Sequence, residues 1–344
     1  MEFYYVLSED KRTATCYCDD RCEERGGILP GGNSHPVYRL FGDLENLKKV
    51  VFDVTCKSAY FDSTFGWFFC YSSLEEIAGL ENLNTGYVSN MSFMFYGCSA
   101  LTALDLSSFD TTQVSNMNSM FSGCSALTAL DISSFDTTQV SNMSSMFSGC
   151  RELTYLDLSS FKTTSVSSMS SMFSGCSSLK ALDLSSFNGS AVVNMEKMFA
   201  DCTALTHLDL SYFYPKKVKI LRGVFFNCRE LTTIYCKATW ECRDSEGMFE
   251  ECRKLRGAVP YDFTRTNAQM ANHETGYFSS EEPNLPVPEK KPETASEKKE
   301  EPANNEEHMT PNEFVNCSFF TMQGVPIEGG VADLPAGMYL MKKD

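Results

Sequence analysis

The sequence predicts an α/β solenoid in which a short strand and a short helix alternate through about seven to eight stacked coils. Three observations predict it. Phenylalanine and cysteine recur with a period of 26 residues, each copy contains a strand pattern, and the rest of each copy spaces its apolar residues as a helical turn does. Neither element can bury its apolar side alone, so stacking of the copies creates one continuous core.

Two columns of identical residues make the period visible. Each advances by 26 residues per step: Phe95, Phe121, Phe147, Phe173, Phe199 and Phe225, and Cys98, Cys124, Cys150, Cys176, Cys202 and Cys228. A degenerate copy opens the series at Trp67, and a shortened copy closes it at Leu255. We expect the cysteines, like the methionines of the same copies, to fill the core rather than to form disulfides or metal sites, because free cysteine behaves as a small apolar residue.

Within one copy, the strand is expected first and the helix second. The order L-x-x-L-x-L-x-x-F, seen from Leu101 to Phe109, resembles the strand of a leucine-rich repeat, with Leu104 and Leu106 inward and Asp105 outward. The helix is predicted from the buried spacing Val114, Met117, Met120 and Phe121. A left-handed residue should end each helix. That position holds Gly97, Gly123, Gly149 and Gly175, then Asp201, Asn227 and the less suitable Glu251.

The composition divides the chain into four regions. Residues 1–66 do not follow the period and alternate like a hairpin and a further strand, so they are predicted to be a β-rich cap. Residues 67–280 form the solenoid and its closing coil. Residues 281–313, rich in Pro, Glu and Lys, have little to bury and are expected to be a disordered linker. Residues 314–344 regain apolar residues and glycines, which indicates a small β tail.

Charge and residue usage exclude several classes of function. The 344 residues include 45 acidic and 29 basic side chains, a net charge of -16, which argues against nonspecific nucleic-acid binding. No apolar run approaches the roughly 20 residues of a membrane-spanning helix. The four histidines stand in no catalytic or metal-binding spacing, so we predict no enzyme, no cofactor and no metal. Cys16, Cys18 and Cys22 form a cluster that fits zinc or, more simply, hairpin residues.

The candidate partner-binding face is the outward side of the strands. One aspartate projects from each strand, and two larger side chains interrupt a row of small residues. The candidates are Asp105, Asp131, Tyr155, Asp157, Asp183, His207 and Asp209. Two interpretations of the aspartates stay open. They either accept hydrogen bonds from neighbouring serines, or they bind cations or a basic partner.

The repeat "NM-SMFSGCSSL-ALDLSSFDTTQVS", the opening Trp67-Phe68 and the closing "GMFEECRKLRGA" resemble the BspA-like leucine-rich-repeat proteins over about residues 1–280. The resemblance implies a non-catalytic, adhesin-like protein at the cell surface or secreted, bacterial in origin, which binds host matrix, host cells or other microbes. The tail is similar to Bacteroidetes C-terminal sorting signals. The matching residues are Gly324, Leu334, Pro335, Gly337, Tyr339 and Lys342.

An intracellular scaffold for protein–protein interaction is the alternative. No signal peptide is visible at the start of the sequence, and many cysteines without an evident partner are typical of the reducing cytoplasm. A cytoplasmic location therefore stays open beside a surface location. Both hypotheses predict a protein partner and no membrane insertion, and neither fixes the oligomeric state.

Overall fold

A computed structural model describes residues 2–30, 40–41 and 44–281, and the backbone of three short strands nearer the C-terminus. The chain divides into two compact units, residues 1–292 and 293–344. Residues 282–313 of the predicted linker lie outside the described residues. So do the residues matched to a sorting signal, which are Gly324, Leu334, Pro335, Gly337, Tyr339 and Lys342.

A four-stranded sheet lies at the N-terminal end of the first unit, in the order β1-β2-β3-β4. The first two strands form an antiparallel hairpin, and the next two add in parallel. The hairpin forms because β2 alternates buried and half-buried residues, so one face packs on the core. The strands are β1 (Glu2–Leu7), β2 (Thr13–Asp19), β3 (Lys49–Phe52) and β4 (Glu76–Ala78).

Short parallel strands mark the following coils, where Ala129 pairs with Tyr155 and His207 with Thr233. They are β5 (Ala129–Leu130), β6 (Tyr155–Leu156), β7 (His207–Asp209), β8 (Thr233–Tyr235) and β9 (Phe278–Ser279). In the second unit, an antiparallel sheet has the order β11-β10-β12. It comprises β10 (Ser318–Phe320), β11 (Pro326–Ile327) and β12 (Leu340–Met341).

The predicted short helix of each copy is wrong, and the α/β class needs correction. The helices of the described residues are three 3-10 helices, Val54–Ser58, Leu80–Asn82 and Ala268–Met270. The repeat segment instead consists of consecutive turns. Its alternate amides bond to the next coil, as when Ser119 N–H donates to the Ser144 carbonyl at 2.8 Å and Phe121 N–H to the Met146 carbonyl at 2.9 Å. An amide that donates to a neighbouring coil cannot also donate four residues back, so no α-helix forms.

These amides form a second parallel ladder, opposite in the coil to the strand ladder. Between them, the intervening amides close turns within their own coil, as Met120 N–H does on the Met117 carbonyl at 3.3 Å. Parallel bridges start each step of the ladder and join successive coils through Ser63, Asn90, Asn116, Asn142, Ser168, Asn194, Ile220 and Asp244. The coils are therefore hydrogen-bonded to one another on two sides.

Two columns of left-handed residues shape these turns. The predicted column is confirmed, with φ of 78° at Gly123, 60° at Asn227 and 65° even at Glu251. The second column was not predicted, and Ser119 is typical of it at φ 55°. The sequence contains a sign of this second column, because its first and last members are glycines. The members are Gly66, Phe93, Ser119, Ser145, Ser171, Lys197, Gly223 and Gly247. A left-handed residue breaks a right-handed helix, which is a further reason for the turns.

The core is a stack of phenylalanine rings that runs through the solenoid. From Phe68 to Phe249, successive rings lie 5.3–5.8 Å apart between centroids and within 14° of parallel. The stack ends edge-on at both caps, against Phe52 at 88° and Tyr277 at 85°. The predicted inward residues Val114, Met117, Met120 and Phe121 are fully buried. Leu106 is buried as well, whereas Leu104 is only half-buried.

Buried threonines provide a further connection between coils. The Thr137 hydroxyl donates to the Lys162 carbonyl at 3.1 Å and accepts from the Lys162 amide at 2.7 Å. The same exchange occurs between Thr85 and Asp110, Thr111 and Asp136, and Thr163 and Asn188. Each hydroxyl thus satisfies both main-chain groups of a residue in the next coil.

Candidate partner-binding face

The aspartate column is fixed by turns directly after the strands. Asp105 Oδ1 accepts a hydrogen bond from the Ser107 amide at 3.1 Å and from the Ser107 hydroxyl at 2.7 Å. Asp131 accepts the same pair from Ser133. The amides of Ser159, Ser185 and Ser211 donate at 2.8–2.9 Å to Asp157, Asp183 and Asp209. Each aspartate of the column therefore accepts hydrogen bonds from the serine two residues later, as the first of the two interpretations expects.

At the first aspartate of the column, Asp105, the serine hydrogen bonds favour the ionised carboxylate. At Asp105, the hydrogen bonds from Ser107 hold the pKa of the carboxyl below its ordinary value, although the nearby Asp131 charge opposes them. One oxygen of each aspartate takes part in the turn. Asp105, Asp131 and Asp183 are exposed, and Asp157 and Asp209 are half-buried. The face therefore carries a row of oriented negative charges on adjacent coils.

Three of the predicted residues meet around a single depression between neighbouring coils. Asp131, Tyr155 and Asp157 line it together with Ala129, Leu130 and Ser133, and its volume is about 110 Å³. The parallel register between β5 and β6 brings these side chains together, since Ala129 lies opposite Tyr155. Two carboxylates beside an aromatic ring form a small site for one cationic group.

His207 lies away from this depression, on β7. Its Nδ1 is 2.9 Å from the Thr206 hydroxyl, and burial lowers the pKa of its imidazole. The imidazole is therefore neutral at pH 7. In the strand ladder, His207 pairs with Thr233. Asp209 lies two residues further along the same strand, opposite Tyr235.

The cysteine column contributes no reactive thiol to the surface. Each sulfur donates to the main-chain carbonyl of a phenylalanine one coil earlier, as Cys124 does to Phe95 at 3.1 Å. Burial raises the pKa of the Cys124 thiol well above its ordinary value. In the cap, the Cys56 thiol donates to the Cys16 carbonyl at 3.3 Å. Across residues 2–30, 40–41 and 44–281, no three His, Cys, Asp or Glu side chains come together as a metal site would require.

The sequence interpretation missed an aromatic cluster on the turn side of the first two coils. Phe69 stacks on Tyr96 with centroids 4.8 Å apart, and Phe93 contacts both rings and Phe65. All four side chains are half-buried. The sequence does distinguish these positions, because one period later Phe93 and Tyr96 are replaced by Ser119 and Ser122. We name Phe65, Phe69, Phe93 and Tyr96 the aromatic cluster.

Comparison with known proteins identifies one matching family model and several solved structures of low similarity. A family model described as "Mycoplasma protein of unknown function, DUF285" matches residues 66–181 and 150–261. A search of curated proteins found no match. Among the described residues, no helix has the length and apolar character needed to cross a membrane.

Three solved structures resemble the chain at low identity. A leucine-rich-repeat protein from T. pallidum is 16% identical, with 81% of this chain and 97% of that chain covered and a TM-score of 0.27. One from Bacteroides ovatus is 17% identical, with 75% and 69% covered and a TM-score of 0.27. A leucine-rich cell surface protein from Faecalibacterium prausnitzii is 16% identical, with 80% and 97% covered and a TM-score of 0.22. Because these identities and TM-scores are low, the fold is inferred from the hydrogen bonds between coils and not from these three structures.

Proposed function

The chain belongs to the DUF285 family, and we propose that it is a non-catalytic protein-binding module of the cell surface or a secreted adhesin-like protein. One observation carries this proposal. It is the depression of about 110 Å³ formed by Asp131, Tyr155 and Asp157 on the strand face. Such a site accepts a lysine or arginine side chain of a partner, which the two carboxylates pair with and the ring contacts.

The regularity of the face supports a protein partner over a small ligand. The aspartates of the coils before and after the depression, Asp105 and Asp183, extend the same row and are held by the same turns. Parallel strands lie about 4.8 Å apart, so the row offers evenly spaced charges over several coils. A depression of this size holds one side chain, and affinity therefore requires further contacts along the face.

Variants that keep the turns intact test the face. In the double variant Asp131→Asn and Asp157→Asn, the amide oxygen can still accept the serine hydrogen bonds while the charge is lost. We expect this variant, and Tyr155→Ala, to lose capture of host matrix and mucosal proteins in pull-down experiments. Glu152→Gln removes one exposed charge elsewhere and should bind like the unmodified protein. Equal binding by all four proteins would contradict the proposal.

A surface location is supported by the resemblance to BspA-like repeat proteins, including the tail that is similar to a sorting signal. Surface labelling of intact cells followed by fractionation tests it. Labelled protein in the surface or medium fraction supports an adhesin-like role. Protein found only in the cytosol, bound to no external partner, would contradict it.

The intracellular scaffold is the second candidate because the column cysteines are thiols without disulfides, as in reducing compartments. Titration of free thiols in the native and the unfolded protein, isolated from each cell fraction, distinguishes the two. Turnover on a panel of hydrolase substrates would contradict both candidates, since each is non-catalytic.

A further inference from the structure

A groove with a volume of about 640 Å³ lies at the C-terminal end of the solenoid, away from the depression on the strand face. Its volume falls within the range of about 300–1,000 Å³ that is usual for ligand sites. The walls come from three separate segments, which are Val218–Lys219, Thr239–Arg243 and Ala268–Gln269. The last segment begins the 3-10 helix Ala268–Met270, so the groove lies where the closing coil meets its cap.

The floor of the groove is rigid and aromatic. Trp240 is only 2% exposed, and its ring lies between 5.4 and 6.3 Å from those of Phe213, Phe225 and Phe278. Its main-chain amide donates to the Ala271 carbonyl at 2.9 Å. The indole Nε1 finds no oxygen acceptor among the described residues. Its polar neighbour is the sulfur of Cys236, a weak acceptor.

The rim of the groove is basic. Lys219 and Arg243 are exposed, and no acidic oxygen of the described residues lies within 4.0 Å of either cationic group. Asp244, the residue after Arg243, is engaged elsewhere, because it pairs with Arg222 at 3.2 Å. Glu241 is the acidic residue of the lining.

The basic character extends along the chain segment that enters the groove. Lys216 and Lys217 precede Val218 and are exposed, and the Lys216 ammonium lies 5.1 Å from the centre of the Tyr214 ring. In a protein with a net charge of -16, this is a local surplus of positive charge. Long-range attraction of an acidic partner would be directed to this end of the solenoid.

We propose that this groove binds an acidic peptide segment of a partner protein, with carboxylates on Lys219 and Arg243 and an apolar side chain against Val218 and the small exposed part of Trp240. An inorganic anion has no apolar surface that could pack against the floor of the groove. Glu241 on the rim and the negative charge of the whole chain oppose a dense polyanion such as nucleic acid. A peptide that alternates carboxylates with apolar side chains satisfies both the rim and the floor.

The test uses the full chain and a short synthetic peptide of glutamates interrupted by leucines, with binding measured by titration calorimetry. A peptide with glutamine for every glutamate is the matched ligand control. We expect Lys219→Glu and Arg243→Glu each to weaken binding by about tenfold and added salt to weaken it further. Lys162→Glu, an equal charge reversal at an exposed lysine in the middle of the solenoid, should leave the affinity unchanged.

Fluorescence locates the bound peptide independently. The chain has two tryptophans, so Trp67→Phe leaves Trp240 as the sole reporter, and the acidic peptide should change its emission. Binding that persists in both reversal variants, equal binding of the glutamine peptide, or full competition by inorganic phosphate would overturn the proposal. The Asp131→Asn/Asp157→Asn variant should bind the acidic peptide normally, which separates this groove from the strand face.

Discussion

The thiol of Cys150 donates a hydrogen bond to the main-chain carbonyl oxygen of Phe121, one coil earlier in the chain, with sulfur and oxygen 3.2 Å apart. The same oxygen accepts the amide of Cys124 at 3.1 Å. Seven cysteines make this bond to the preceding coil: Cys98, Cys124, Cys150, Cys176, Cys202, Cys228 and Cys252. The column thus connects coils through hydrogen bonds while it fills the core, which a small aliphatic residue could not do.

The titration of these thiols should make stability fall at high pH. Burial raises the pKa of the Cys150 thiol from 9.0 to about 12. The protonated thiol therefore stabilises the folded state fully below about pH 9, and this contribution is lost as pH rises from about 9 toward 12. Urea unfolding at several pH values should show the decline. Cys150→Ser keeps a hydroxyl donor but removes the titration, so its decline should be shallower. An unchanged slope would contradict the assignment.

Replacement of Gly123 by alanine should destabilise the protein by about 1–2 kcal/mol, because an L-residue is strained in the left-handed region. Gly123 has φ of 78°, and an added Cβ would lie 3.3 Å from the Gly97 Cα. Gly123→Asn should cost less, since Asn227 occupies the same position four coils later. The free energy of unfolding in urea measures both. Gly86→Ala, at a glycine outside the left-handed region, is the control and should have the smaller effect.

Removal of one ring from the middle of the phenylalanine stack should be among the most damaging single changes. Phe147 is fully buried and stacks on Phe121 and Phe173 at 5.8 Å. Phe147→Ala should cost about 3–5 kcal/mol through lost burial and a residual cavity. Thermal unfolding followed by circular dichroism reports the loss. Phe263→Ala, at a side chain that is 81% exposed, should leave the transition almost unchanged, and a comparable loss there would refute this account.

The buried threonine hydroxyls should matter far more than exposed ones of the same repeat. Thr137→Val keeps the shape but leaves the amide and carbonyl of Lys162 without their partner, at a cost of about 1–3 kcal/mol. Thr138 is the next residue and is exposed, so Thr138→Val should have a small effect. Hydrogen exchange at the Lys162 amide should accelerate in the first variant only. Equal exchange rates in the two variants would argue against the bridge.

The sequence predicted part of the candidate face and part of the fold. Asp131, Tyr155 and Asp157 were selected one by one as outward residues, but only the register of β5 and β6 brings them to one depression. The aromatic cluster lies outside the predicted face, because Phe93 and Tyr96 stand in the turn segment, whereas Tyr155 and His207 stand on the strands. The helix prediction failed because the spacing of buried residues is the same for successive turns as for a helix.

The 26-residue period by itself determined that the chain is a solenoid, which columns are buried and where the glycine column turns left-handed. Those features follow from the apolar pattern and the backbone preferences of each copy. Tertiary structure alone decided that Ser119 and Phe121 donate to the next coil instead of forming a helix, and that Trp240 becomes the floor of a groove. The partners of Ser119 and Phe121 lie 25 residues away in sequence, and the walls of the groove come from separate segments, so no local pattern encodes them.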